Sequence, residues 1–220
     1  MKPLVIFGTG DIAQLAQYYF SHDSNQKVAG FTVDAAFLTD NCFCGLPVVP
    51  FEGIGGRFPP QECDLFVALS YSKLNQVRRG KYLAGKAMGY RLASYVSSRA
   101  TVLPGVEIGE NCFILEDNTL QPFAKIGNNV TLWSGNHIGH HSRIHDHCFV
   151  ASHVVVSGGV TIEESCFIGV NATLRDHITV GRQCVIGAGA LILADTEPEG
   201  VYVGTATERS RVPSSRLKKI

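Results

Sequence analysis

The sequence predicts a small α/β domain, about half of a Rossmann fold, followed by an all-β parallel β-helix. Three observations carry that expectation. Every sixth residue from position 96 to 192 is Val, Ile or Leu, with no gap. An α-helix wants apolar residues near every 3.6 positions and an isolated strand every two, so a period of six belongs to neither alone. It suits a solenoid in which each six-residue repeat makes one short strand and one corner, and stacked coils share one core. The columns also hold at a period of eighteen: Ile114, Leu132, Val150, Ile168 and Ile186 align, as do Cys112, Val130, Cys148, Cys166 and Cys184 two residues earlier. Three sides per coil then give a triangular prism, with coils about 4.8 Å apart. Finally, residues 1–93 lack this period and alternate short apolar runs with helical stretches, the pattern of a parallel sheet.

Taken in order, residues 4–7 read as a buried strand running into Gly8-Thr9-Gly10. Asp11 is expected to cap the following helix, with Gln14 completing a capping-box-like pair and Ile12, Leu15, Ala16 and Tyr19 forming its apolar face. A second strand covers 28–33 and ends at Asp34; Val48-Val49 make a third and residues 65–69 a clear fourth. Residues 73–88 look helical, ending at Gly89, and residues 92–96 lead into the solenoid. The division expected is 1–93 for the α/β domain, 94–195 for the β-helix and 196–220 for a tail.

With 220 residues and 45% hydrophobic content the chain is of ordinary globular composition. No apolar run is long enough for a membrane span, and the start lacks a basic segment followed by an apolar stretch, so a cytoplasmic protein is expected. Nineteen basic and nineteen acidic side chains cancel, leaving no global field for nucleic acid or an anionic membrane. Basic residues gather only in the tail, at Arg209, Arg211, Arg216, Lys218 and Lys219. Four of the seven cysteines, Cys112, Cys148, Cys166 and Cys184, occupy the small inward position of a hexad, where a free thiol packs as a compact hydrophobe. Cys42 and Cys44 form a C-x-C with no second pair at zinc-site spacing.

Two regions point to chemistry. Ligands of small parallel sheets bind beyond the carboxyl ends of the strands, where helix amino termini offer free N–H groups. Those ends carry Gly8, Gly10, Asp11, Asp34 and Ser70; the Gly8-x-Gly10-x-x-Ala13 spacing and Asp34 suit one nucleotide moiety better than a whole dinucleotide. The second region holds seven of the eight histidines, between positions 137 and 177. Surface positions of a solenoid are expected to have no structural need for imidazole, so the cluster suggests chemistry, although most members are bystanders. His140 and His141 follow inward Ile138 at a corner, and Gly158 and Gly159 hold the same columns one coil later, a bare ledge where a ligand can reach the backbone.

The segments Leu132-Trp-Ser-Gly-Asn-His-Ile-Gly-His-His141, Val156-Ser-Gly-Gly-Val160, Cys166-Phe-Ile-Gly-Val-Asn-Ala-Thr-Leu174, Cys184-Val-Ile-Gly-Ala-Gly-Ala190 and Gly200-Val-Tyr-Val-Gly204 resemble the left-handed β-helix acyltransferases with hexapeptide repeats. The resemblance is greatest to the NeuD/PglD-type sugar O- and N-acetyltransferases. It implies a left-handed coil, a homotrimer and acetyl-CoA as acyl donor, with a nucleotide-linked sugar, a precursor of bacterial surface glycans, held by the α/β domain. It further implies His140 as catalytic base with His141 beside it, and Gly158 as N–H donor to the thioester carbonyl. Gly159, Ile168, Gly169, Asn171, Gly187, Ala188 and Gly189 would line the coenzyme groove, and Gly8, Gly10, Asp11, Asp34 and Ser70 would meet the nucleotide sugar. The residue after the base, often acidic in this family, is His141 here, and the usual Gly-Asn-Pro-Ala near the carboxyl end is Gly204-Thr205-Ala206-Thr207. Basic groups expected near the coenzyme phosphates are the tail residues with Arg175 and Arg182. Outward Phe113, Phe149, Phe167 and Trp133 are expected to pack between subunits. Two other readings compete. A γ-carbonic-anhydrase-like zinc hydratase would use His140 and His145, but Pro104 stands where its third ligand belongs. A non-enzymatic scaffold would bind the nucleotide sugar alone.

Overall fold

The computed structural model describes residues 1–209, 211 and 213–216. Its amino-terminal sheet contains β1 (Leu4–Phe7), β2 (Val28–Val33), β3 (Cys42–Phe43), β4 (Leu46–Pro50) and β5 (Asp64–Val67) in the order β3-β4-β2-β1-β5. All pairs are parallel except the β3–β4 hairpin at the edge. Helix α1 (Asp11–Asp23) covers one side and α2 (Gln76–Ala87) the other. Three details differ from expectation. Gly10, not Asp11, is the N-cap of α1, with no side-chain cap. The stripe α1 buries is Ala13, Ala16 and Phe20, with Ile12, Leu15 and Tyr19 flanking it. Residues 73–75, expected to begin α2, instead form a turn in which Lys73, Leu74 and Asn75 all have positive φ.

From Tyr95 onward the chain winds as a three-faced prism of two-residue strands, paired in parallel with the residue eighteen positions away up to Ile192 and sixteen away at the last strand. The docking face has seven strands, from Tyr95–Val96 to Val201–Tyr202; the second has six, from Thr101–Val102 to Leu191–Ile192; the third has five, from Glu107–Ile108 to Thr179–Val180. The docking face thus continues past position 195, because Val201 pairs with Val185. Inward Ile, Leu and Val residues from Ile114 to Ile186 are at most 3% exposed; each contributes about 1.5–3 kcal/mol on burial. The four inward cysteines are free and fully buried, and each thiol donates to a carbonyl of the coil, for example Cys148 Sγ to Glu163 O at 3.1 Å.

The corners carry a second period of six. Every sixth residue from Gly105 to Gly189 has positive φ. That left-handed region tolerates Gly, Asn, Asp and His best. His141, His147, His153 and His177 stand at these positions, so most of the histidine cluster has a backbone reason to exist, contrary to the sequence expectation.

The α/β domain lies on the docking face and on the edge between third and docking faces. Asn111, at one such corner, accepts from the Val67 N–H at 2.7 Å and donates to Val67 O at 3.3 Å, acting as a further backbone partner for β5. Its amide continues as a ladder to Asn129 and then to His147 Nδ1. Arg78 of α2, 1% exposed, donates to Thr131 Oγ1, Asn75 Oδ1, His147 O and Cys148 O, with its guanidinium over the Phe149 ring. Burial without a carboxylate pulls its pKa down to about 10. Asn75 donates in turn to Ser165 O and Cys166 O. Phe113 and Phe149, expected to meet another subunit, are 2% and 3% exposed beneath the chain's own α/β domain. Tyr71 packs over Phe149 and Phe167, and Trp133 packs against the α1-side core. The outward aromatics are therefore a joint within the chain.

Candidate active site

At the α/β domain, Gly8 has φ 123° and a Cβ there would lie 2.9 Å from Ala68 O, so the backbone demands this glycine whatever binds. Gly10 is different: no atom lies within 4 Å of its would-be Cβ, and it opens α1, where N–H groups face outward. Asp11 is exposed in the first helical turn. Asp34, just past β2, pairs with Lys81 of α2, whose ammonium also lies 5.4 Å from the Phe7 ring centroid and 5.5 Å from that of Phe51. Lys81 was not foreseen; its pairing with Asp34 becomes visible only with the sheet in place.

Ser70 lies beyond β5 and lines a hollow of about 380 Å³ with Ile12, Tyr71, Trp133, Phe149, Ser152 and Val170. This hollow opens at the edge between docking and second faces. A smaller one, about 150 Å³, lies beyond β2 between Thr9, Phe37, Phe43 and Val48.

His140 and His141 occupy the edge between second and third faces. The His140 N–H donates to Gln121 Oε1 at 3.0 Å, which anchors this corner from the coil before it. His140 Nδ1 is 3.1 Å from His141 Nδ1, and the rings meet edge to face. The His141 ring packs in turn against Phe123, with centroids 4.8 Å apart. The His140 ring leans over Gly158: a Cβ on that glycine would sit 2.7 Å from Cε1 and Nε2. The bare ledge is thus occupied by the histidine, and Gly159 likewise lies under the His177 ring. Among the described residues the Gly158 N–H has no hydrogen-bond partner, whereas those of Ser157 and Gly159 are satisfied by Leu174 O and His140 O. An unpaired N–H beneath an imidazole can bind a developing oxyanion.

The remaining expected residues fall elsewhere. Ile168 is 0% exposed in the solenoid core, so its side chain meets no ligand. Gly169 is glycine because a Cβ would lie 2.6 Å from Ala188 N in the next coil. Gly169, Asn171, Gly187, Ala188 and Gly189 all line the edge between docking and second faces, the one that bears the Ser70 hollow, and not the edge of His140. Arg175 shares the edge of His140, two coils on, while Arg182 lies with Glu163 and Glu164 on the edge between third and docking faces. Arg209, Arg211 and Arg216 are exposed; Lys218 and Lys219 lie outside the described residues. Among the described residues no three His, Cys, Asp or Glu side chains converge as a metal site within the chain, so a zinc centre using His140 and His145 would need ligands from another copy.

Residues 123–158 and 159–194 match the model of the bacterial transferase hexapeptide family, six repeats each. No curated protein matches the sequence. Among solved structures, PerB from Caulobacter crescentus, in complex with CoA and GDP-perosamine, is 23% identical, with a TM-score of 0.82 over 93% of this chain and 95% of that one. The acetyltransferase domain of PglB from Neisseria gonorrhoeae, in complex with acetyl coenzyme A, is 22% identical with a TM-score of 0.81 over 92% and 96%. WeeI from Acinetobacter baumannii is 20% identical with a TM-score of 0.77 over 93% and 97%. These likenesses span both parts of the chain, and the fold is the left-handed parallel β-helix behind an α/β domain.

Proposed function

We propose that this chain is an acetyl-CoA-dependent acetyltransferase acting on an amino group of a nucleotide-linked sugar. The observation that carries the reading is the His140 ring over Gly158, a base beside an unpaired N–H on the edge of a fold shared with proteins whose structures hold CoA and GDP-perosamine. With the hydrogen of the His140–His141 contact on His140 Nδ1, His141 Nδ1 accepts it and His140 Nε2 keeps its lone pair. The sugar amine attacks the thioester carbonyl and gives up a proton to Nε2. The Gly158 N–H stabilises the oxyanion, a contribution worth about 3–4 kcal/mol in comparable sites. Collapse expels the thiolate, which takes the proton back from the imidazolium. General base catalysis of this kind adds roughly a hundred- to ten-thousandfold.

The edges of the prism imply the assembly. The α/β domain covers the docking face, and the edge bearing His140 is the one not bordering that face. A sugar held near Gly10, Asp34 and Ser70 therefore meets the His140 of another copy, and the groove forms between one copy's His140 edge and a neighbour's edge of Gly169 to Gly189. Such head-to-tail contacts close as a ring, here a homotrimer. Light scattering should then give about 71 kDa, three times 23.8 kDa.

The deciding experiment offers acetyl-CoA with a panel of nucleotide-linked amino and deoxy sugars and follows thiol release, with mass spectrometry of the product. Acetylated nucleotide sugar from the wild type and little from His140→Ala, itself folded and trimeric, is expected. Equal turnover by that variant would overturn the assignment of the base.

A further inference from the structure

Phe123 departs from the rule that the other corners obey. The residues with positive φ at every sixth position are Gly, Asn, Asp, His, Ser or Gln, except Phe123, whose φ is 67°. A bulky side chain is disfavoured in that conformation. Nor does the ring recover the cost by burial, for it is 56% exposed. On one side it leaves Gly105 little room, since a Cβ there would lie 3.3 Å from the Phe123 Cδ1, and on the other it packs against His141. Strain retained at an exposed ring, in contact with the partner of the base, points to a function rather than to packing.

Its place along the prism identifies that function. On the edge of His140, Gly158 lies one coil toward the carboxyl end and Phe123 one coil toward the amino end. The side of Gly158 lies beneath the His140 ring and carries an unpaired N–H for the thioester. The side of Phe123, toward the amino-terminal end of the prism, is built up by Gln121, Pro122 and the ring itself. On the facing edge the Ser70 hollow is lined by residues 133 to 170, in the coils of His140 and Gly158 and the one after, and Gly187 to Gly189 lie beyond it.

We propose that Phe123 is the acceptor platform: the C–H face of the sugar ring lies on the exposed phenyl face, which holds the amino group toward His140 Nε2. The inference rests on the acetyltransferase reading and deepens it. Sugars with a continuous apolar face suit a flat hydrocarbon ring, and an aromatic face attracts the partial positive charge of C–H edges.

The test uses Phe123→Asn, which suits the left-handed backbone but removes the ring, and Phe123→Tyr, which retains it. Thiol release is measured against acetyl-CoA and against nucleotide-linked amino sugar, with calorimetry for the sugar nucleotide and for the nucleoside diphosphate alone. Phe123→Asn should melt at or above the wild type and keep its trimeric mass. Its KM for the sugar nucleotide should rise about tenfold, the order of one aromatic contact. KM for acetyl-CoA and affinity for the nucleoside diphosphate should not change, and Phe123→Tyr should restore the sugar KM. An unaltered sugar KM, or a loss of trimeric mass that shifts both KM values together, overturns the proposal. Wild-type protein that releases no thiol with any nucleotide-linked amino sugar overturns the acetyltransferase reading, and this inference with it.

Discussion

Gly158→Ala is the most incisive perturbation of the proposed site, because one methyl group tests where the base must stand. The Cβ would be 2.7 Å from both Cε1 and Nε2 of His140, whereas ordinary contact begins at 3.4 Å, so the ring must retreat by about 0.7 Å or rotate away. The obstacle is the end of a flexible side chain, and Gly158 is not among the residues with positive φ, so the fold should accept alanine within about 0.5 kcal/mol. The Gly158 N–H survives the substitution, which isolates base placement from oxyanion binding. Misplacement of a reacting group by about 1 Å costs up to roughly a hundredfold in rate. We therefore expect kcat to fall about ten- to a hundredfold, equal to about 1.4–2.7 kcal/mol in the barrier, with an unchanged melting temperature. Thiol release and thermal melting read the two quantities. Gly139→Ala is the control: its Cβ would be 2.6 Å from backbone atoms Gly158 N and Ser157 C, which cannot step aside, so stability should fall first. Gly158→Ala with kcat within twofold of wild type would refute the idea that the ring acts from its place over Gly158.

Other perturbations probe the frame around the site. Arg78→Ala leaves Thr131 Oγ1, Asn75 Oδ1 and two carbonyls without their buried donor, and should cost about 3–5 kcal/mol in urea unfolding; a loss under about 1 kcal/mol would show that the joint is not sealed by this side chain. Lys73→Gly and Leu74→Gly relieve positive φ at non-glycine residues and should each raise stability by about 1 kcal/mol, seen as a higher melting temperature. Burial lowers the pKa of His147, so the folded form favours the neutral ring that accepts from Asn129. The unfolded chain then binds more protons, and this contribution, present above the unfolded value near 6.5, is lost as pH falls through that value toward the folded one. Melting temperatures taken from about pH 7.5 down to 5 should fall less steeply for His147→Asn, a residue suited to that left-handed corner, than for the wild type.

Much of the architecture was legible in the amino-acid order. The hexad of Val, Ile and Leu and the cysteine columns specify the prism and its register, because each inward residue contacts the residue eighteen positions away and a single slipped residue would turn a coil inside out. Strands β1, β2 and β4 and the Gly89 end of α2 were equally plain. The 73–75 turn was not, since Lys-Leu-Asn has ordinary helical propensity and the turn is held by tertiary bonds, those of Asn75 to Ser165 O and Cys166 O and of Arg78 to Asn75 Oδ1. Asp11 as a cap failed for a similar reason: with no side-chain bond available, Gly10 took the boundary.

Of the candidate site, the sequence by itself singled out His140, His141 and the glycine at 158 as candidates, and the spacing of eighteen between 140 and 158 stacks that imidazole over the glycine. Only the tertiary structure decided which edge each group occupies. A period of six describes every face alike, so it says nothing of which face the α/β domain covers. That choice rests on contacts between residues far apart in the chain, Val67 with Asn111 and Arg78 with His147 and Cys148. Those contacts bury Phe113 and Phe149 within the chain, set the Ser70 hollow on one edge and leave His140 on another. Likewise, the corner periodicity in φ explains four histidines as backbone choices and singles out Phe123, because conformational cost depends on the angle a residue is made to adopt and not on its identity alone.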